Sequence, residues 1–114
     1  MKTSKQIAQH YNWGSLCDGW RLVDRPDISI IHERMPANTT EVRHFHEKSS
    51  QFFFVLSGQA AIEIEGNIIE LNTQEGVEVA PNSKHRIYNQ SPKDVEFLVI
   101  SHPTTQGDRV NIDH

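Results

Sequence analysis

Two histidines, His44 and His46, are separated by one residue in a stretch that reads as a β-strand. Residues two apart in a strand point to the same face and lie about 6.6 Å apart, so two imidazoles in this arrangement can converge on one ion. The same alternation assigns Val42 to the histidine face and predicts that three neighbours face away: Glu41, Arg43 and Glu47. The pair alone is weak evidence for a metal site, because the chain has seven histidines among 114 residues.

The elements around this pair also read as strands. Short apolar or alternating segments separated by Gly, Pro, Asn and Ser predict strands over 19–23, 28–35, 41–46, 51–56, 59–65, 68–71, 77–80, 85–89 and 95–101. This series predicts an all-β sandwich, jelly roll or barrel. The segment 3–11 is expected to form either a short helix, with Thr3 and Gln6 as a capping box, or an extended segment.

Eight residues in this region follow a characteristic order: His44, His46, Gln51, Gly58, Gly76, Pro81, His85 and Asn89. In the stretches HFHEKSSQFFFVLSG and GVEVAPNSKHRIYN they resemble the two motifs of the cupin superfamily. The resemblance covers about 28–100 and implies a cupin jelly-roll β-barrel. The short stretch between the two motifs is similar to that of small bacterial single-domain cupins. Two departures are Ser83, where the family usually has Gly, and a Gly76–Pro81 spacing one residue shorter than the commonest.

The resemblance implies that His44, His46 and His85 are metal ligands. Gln51 occupies the position where many cupins have a Glu ligand, so it is either a fourth ligand or a hydrogen-bonding partner of a histidine or water. Neutral imidazoles suit one divalent transition metal ion such as Zn, Fe, Ni or Mn, with Mn held more weakly. An amide oxygen from Gln51 would add no charge, so the ion would keep its full +2.

Three functions are compatible with these residues. The cupin resemblance implies a metal-dependent enzyme acting on a small organic molecule, of the dioxygenase, isomerase or cyclase type. The alternatives are a non-catalytic module that senses or binds a small ligand or metal, and a metal-free barrel whose histidines line a pocket. The Gly-x-Ser-x-Gly, Gly-rich phosphate and His-Glu-x-x-His motifs are absent. No pair of carboxylates is predicted on the cavity face.

Composition restricts the partners. The net charge is −4 and the pI is about 5.9, so no nucleic-acid partner is expected. The longest apolar run, 52–56, is far too short to cross a bilayer, so no membrane partner is expected either. The N-terminus is polar and has no signal-peptide core, which predicts a cytoplasmic protein. Cys17 is the only cysteine and is expected to pack as a small apolar residue.

The chain is expected to have one domain in three parts: an N-terminal segment 1–27 that packs on the barrel or on a dimer partner, the cupin barrel 28–101, and a C-terminal tail 102–114. The segment 52–56 is apolar on both faces. One face is expected to line the cavity, through Phe53 and Val55. The other face needs cover from Trp13 and Trp20 or from a second subunit, so a homodimer is expected.

Overall fold

The computed structural model describes residues 1–112, and within them it contains no helix. One antiparallel sheet has the spatial order β1 (Gln9–Trp13), β2 (Cys17–Asp24), β3 (Ser29–Met35), β11 (Val95–His102), β6 (Ser50–Ser57) and β9 (Gly76–Val79). The other has the order β12 (Val110–Asn111), β5 (His44–Phe45), β10 (His85–Asn89), β7 (Ala60–Ile64) and β8 (Asn67–Leu71), with β4 (Thr39–Thr40) also paired to β10. The expected all-β jelly roll is confirmed.

The hydrophobic core lies between the two sheets. Strand β11 shows the pattern that builds it: Val95, Phe97 and Val99 are buried, while the residues between them are partly exposed. Burying a side chain as large as Phe97 contributes about 2–3 kcal/mol to the free energy of unfolding. Other core residues come from both sheets: Met35, Phe53, Val55, Ile62, Leu71, Val79 and Ile87.

The N-terminal segment is extended rather than helical. A single turn forms where the Ile7 and Ala8 amides both donate to the Ser4 carbonyl, at 3.1 and 2.9 Å. The chain then enters β1, which pairs with β2 and forms the edge strand of the first sheet. Residues 1–27 thus add two strands to the first sheet. Within residues 1–112, no helix has the length and apolar character needed to cross a bilayer.

The strand expected over 41–46 is interrupted, which corrects the predicted faces of two residues. Val42 was expected to point inward, but it is 55% exposed. Glu41 was expected to point outward, but its side chain is only 13% exposed. Period-two alternation fails here because β4 ends at Thr40 and β5 begins at His44, leaving residues 41–43 outside regular strand structure.

Candidate metal centre

Three buried histidines converge at one end of the barrel interior. His44 and His85 are directly paired across β5 and β10, and His46 follows β5 by one residue. Their ring centroids are 4.4 Å apart for His44–His85, 4.9 Å for His44–His46 and 5.6 Å for His46–His85. One nitrogen from each ring lies within 4.8 Å of the other two, so the three residues could hold a metal ion.

The opposite ring nitrogen of each histidine is held by the backbone. Nδ1 of His44 lies 2.8 Å from the Val42 carbonyl, Nδ1 of His85 lies 2.8 Å from the Ser83 carbonyl, and Nδ1 of His46 contacts the Asp108 carbonyl. A carbonyl oxygen only accepts, so each Nδ1 carries the proton and each Nε2 presents a lone pair.

The Nε2 atom of His46 shows most clearly that this arrangement fits a metal ion. It is fully buried and has no hydrogen-bond partner among residues 1–112. A buried lone pair without a donor is unfavourable unless a cation or proton meets it. Three such imidazoles, each oriented by a backbone carbonyl, are the donor set and the outer support that a transition metal requires.

Burial also keeps these imidazoles neutral. Burial, with a smaller contribution from the neighbouring imidazoles, lowers the pKa of His44 to about 3 and that of His85 to about 4. Burial likewise lowers the pKa of His46. At neutral pH all three rings are therefore available as ligands, with no proton to displace from Nε2.

Gln51 lies beside this cluster, on the inner face of β6. Its amide nitrogen donates to Ser101 Oγ at 3.0 Å, and its Oε1 atom lies 3.1 Å from Nε2 of His85. Because this contact is direct, the amide oxygen faces the same space as the histidine lone pairs. The structure therefore brings together the four candidate ligands that the motif resemblance implied: His44, His46, His85 and Gln51.

The C-terminal segment contributes to the centre, although it was expected to be a tail. The Asp108 carboxylate accepts hydrogen bonds from the amides of Glu47, Lys48 and Ser49 at 2.7, 3.0 and 3.0 Å, and its carbonyl orients His46. Strand β12 then pairs with β5. Sequence reasoning missed Asp108, because these contacts span about sixty positions with no local pattern. Residues 113–114 of the expected tail lie outside the described residues.

Two carboxylates that the sequence did not predict there also lie inside the barrel. Burial and, to a smaller extent, the negative charge of Glu41 raise the pKa of Glu33 to about 8. Burial raises the pKa of Glu41 to about 7. The Tyr11 hydroxyl donates to Glu33 at 3.4 Å, and a guanidinium nitrogen of Arg109 lies 3.7 Å from Glu41. Glu33 shares a face of β3 with the buried Met35, and this alternation could have predicted its inward orientation. No comparable sequence signal predicts the inward orientation of Glu41.

Two further sequence expectations are confirmed, since Glu47 is exposed and Cys17 is buried. His32 is partly buried, and its Nε2 atom lies 2.7 Å from a carboxylate oxygen of Glu96. The Asn89 amide donates to the carbonyls of three residues within the barrel: Met35, Pro36 and Lys93.

Comparison with solved structures shows the same fold in several proteins. A predicted oxalate decarboxylase from Thermotoga maritima has a TM-score of 0.83 and 14% identity over 91% of this chain and 100% of its own. A sugar phosphate isomerase from Silicibacter pomeroyi DSS-3 has a TM-score of 0.83 and 15% identity, and the match covers 100% of this chain and 83% of the isomerase chain. The polyketide cyclase RemF from Streptomyces resistomycificus has a TM-score of 0.78 and 15% identity, and the match covers 91% of this chain and 80% of the cyclase chain. At such identities the likeness establishes the fold alone.

Comparisons of sequence give two results. A search of curated proteins finds no match to this chain. Among protein families, the cupin domain matches residues 31–101, which is more than half of the chain and includes all three histidines of the cluster. The chain therefore belongs to the cupin family.

Proposed function

We propose that this protein is a metal-dependent enzyme that acts on a small organic molecule. The main support for this proposal is that the Nε2 lone pairs of three buried histidines converge, while each imidazole ring is oriented by a hydrogen bond from Nδ1 to a backbone carbonyl. His44, His46 and His85 would hold one divalent transition metal ion, and Gln51 would supply a neutral oxygen. Zn, Fe and Ni suit this set best, and Mn would be held more weakly. When bound, such an ion would polarise a substrate carbonyl or acidify a water molecule.

Glu33 and Glu41 support catalysis over simple binding. In the metal-free protein, burial raises the pKa of these carboxyls to about 8 for Glu33 and about 7 for Glu41, which suits groups that exchange protons near neutral pH. Tyr11 orients Glu33, and Arg109 lies beside Glu41. We therefore favour an isomerase- or cyclase-type reaction, in which these carboxyls move protons to and from the substrate. Isomerase and cyclase are also the names carried by two proteins of similar fold.

A dioxygenase-type reaction is the second candidate, since three histidines leave coordination positions open on the ion. A non-catalytic module that senses or binds a small ligand or metal is the third. It would need the histidines but not the buried carboxyls. Retained metal binding with no loss of function in Glu33→Gln would favour such a module. A cytoplasmic location and the division into 1–27, 28–101 and 102–114 stay predictions of the sequence.

We also propose a homodimer. The outer face of the first sheet carries Phe52, which is 36% exposed. Its ring stacks on that of Phe54, with the two ring centroids 6.1 Å apart. Leu98 and Ile100 of β11 pair with these two residues in the ladder and share the face. Such a contiguous apolar face is typical of a protein interface, and a second copy of the chain would cover it.

The function is tested by metal analysis of the purified protein. We expect close to one transition metal ion per chain, and none in the double variant His44→Ala/His46→Ala. The control is His102→Ala, which removes an exposed histidine outside the cluster. A double variant that keeps its metal would refute the ligand assignment. Iron in the wild-type protein would favour the dioxygenase candidate, whereas zinc or nickel would favour proton-transfer chemistry.

A further inference from the structure

A cavity of about 430 Å³ lies between the inner faces of β1–β3 and the chain segment that follows β11. Tyr11, Arg21 and Ser29 line it on the sheet side, and residues 104–106 line it on the other. Its volume falls in the range of sites that bind small ligands. Neither Arg21 nor Ser29 belongs to the histidine cluster.

Arg21 is positioned to bind an anion. Its guanidinium lies over the Tyr11 ring, 4.5 Å from the ring centroid. That ring packs directly against Gly19, in the space that a Cβ atom at this position would need. Within residues 1–112 no carboxylate forms an ion pair with Arg21, although Asp24 also lines the cavity. A guanidinium held in this way offers two parallel donors to a carboxylate or phosphate.

Ser29 supplies an independent observation. It is only 4% exposed, and its Oγ atom is buried without a hydrogen-bond partner among residues 1–112. Buried hydroxyls are normally paired, so an unpaired one that lines a cavity indicates a ligand group. Ser29 is also the ladder partner of Ser101, whose Oγ accepts the hydrogen bond from Gln51. The inner end of the cavity therefore adjoins the residues that support the metal centre.

We propose that this cavity binds the anionic group of a small organic acid or phosphate ester. Arg21 pairs with the carboxylate or phosphate, and Ser29 donates to a neighbouring oxygen of the same molecule. The bound molecule then extends past Ser101 toward the three histidines. Its role as a substrate rests on the proposed metal-dependent function, whereas anion binding at Arg21 does not require the metal.

The test is a calorimetric titration of metal-free protein with two probes, pyruvate as the carboxylate and glycerol 1-phosphate as the phosphate ester. We expect saturable binding of at least one probe, and the tighter one identifies the anionic group. Arg21→Gln should raise the dissociation constant of the tighter-binding probe by at least about tenfold, because a charged hydrogen-bonded pair is lost. Arg21→Lys should recover part of the affinity, and Lys93→Gln, which removes the same charge from an exposed loop, should have no effect.

Ser29→Ala provides a second variant should Arg21→Gln not fold, with an expected loss of about threefold or more. Equal affinity in wild type and both variants, or no binding of either probe by wild type, would overturn the proposal. Probe binding that is seen only after metal is restored would also overturn the proposal, because it would mean that the anion binds to the metal ion and not to Arg21. Anion binding at Arg21 in a protein that never takes up metal would instead uphold this site and refute the proposed function.

Discussion

The Nε2 atom of His85 lies 3.1 Å from the Oε1 atom of Gln51. The proton of His85 is on Nδ1, which donates to the Ser83 carbonyl, and the amide nitrogen of Gln51 donates to Ser101. Two lone pairs therefore face each other, an arrangement that is favourable only with a cation or proton between them. Burial lowers the pKa of His85 to about 4, which disfavours the proton. A shared metal ion would satisfy both atoms.

Gln51→Glu is expected to keep or strengthen metal binding, most of all for Mn and Fe(II). A carboxylate at the same reach adds negative charge beside the ion, and hard divalent ions prefer such a ligand. Calorimetric titration of metal-free protein with each ion measures the change. Gln59→Glu is the control, because Gln59 is exposed and its side chain donates to Asn72, away from the histidine cluster. Weaker binding in a folded Gln51→Glu protein would show that this side chain does not face the ion.

Metal affinity is expected to stay nearly constant from about pH 8 down to about pH 5, and to fall steeply below that. The pKa values of about 3 for His44 and about 4 for His85 lie below the ordinary value near ~6.5, so protons compete with the ion only in acid. Metal titrations across this range provide the measurement. A loss of affinity that begins near pH ~6.5 would mean that the imidazoles titrate as exposed groups.

Glu33→Gln is expected to stabilise metal-free protein at alkaline pH. A carboxyl whose folded pKa is raised contributes stability that is present below its unfolded pKa and is lost as pH rises through the folded value, here about 8. The free energy of unfolding of wild type should therefore fall relative to Glu33→Gln by about 1–3 kcal/mol between about pH 5 and about pH 8. Urea denaturation at several pH values measures this difference. The exposed control Glu78→Gln should show no such trend, and parallel curves for wild type and Glu33→Gln would contradict the prediction.

The homodimer predicts a sedimentation mass of twice the 13.1 kDa chain at micromolar concentration. Phe52→Glu places a charge in the proposed interface and should shift the protein to monomer, because burying an unpaired charge is costly. Ile68→Glu is the matched control, since Ile68 is 62% exposed on β8 of the other sheet. A wild-type protein that sediments as a monomer would rule this interface out.

Part of the site could be predicted from the sequence. Strand alternation and the order of turn residues predict the all-β architecture and place His44 and His46 on one face. The resemblance to the cupin motifs adds Gln51 and His85, and the structure brings the four residues together. Such patterns succeed because side chains in a continuous strand alternate with a period of two, so spacing determines the face.

Tertiary structure decided what spacing could not. Glu41 points inward because the chain leaves the ladder between β4 and β5, an interruption set by pairing with β10. Asp108 reaches the loop after His46 from about sixty residues away, and Tyr11 meets Glu33 only because β1 and β3 flank β2. Alternation gives the face of each residue within its own strand. Which strands become neighbours, and which polar groups are buried together, depends on packing between segments distant in the chain.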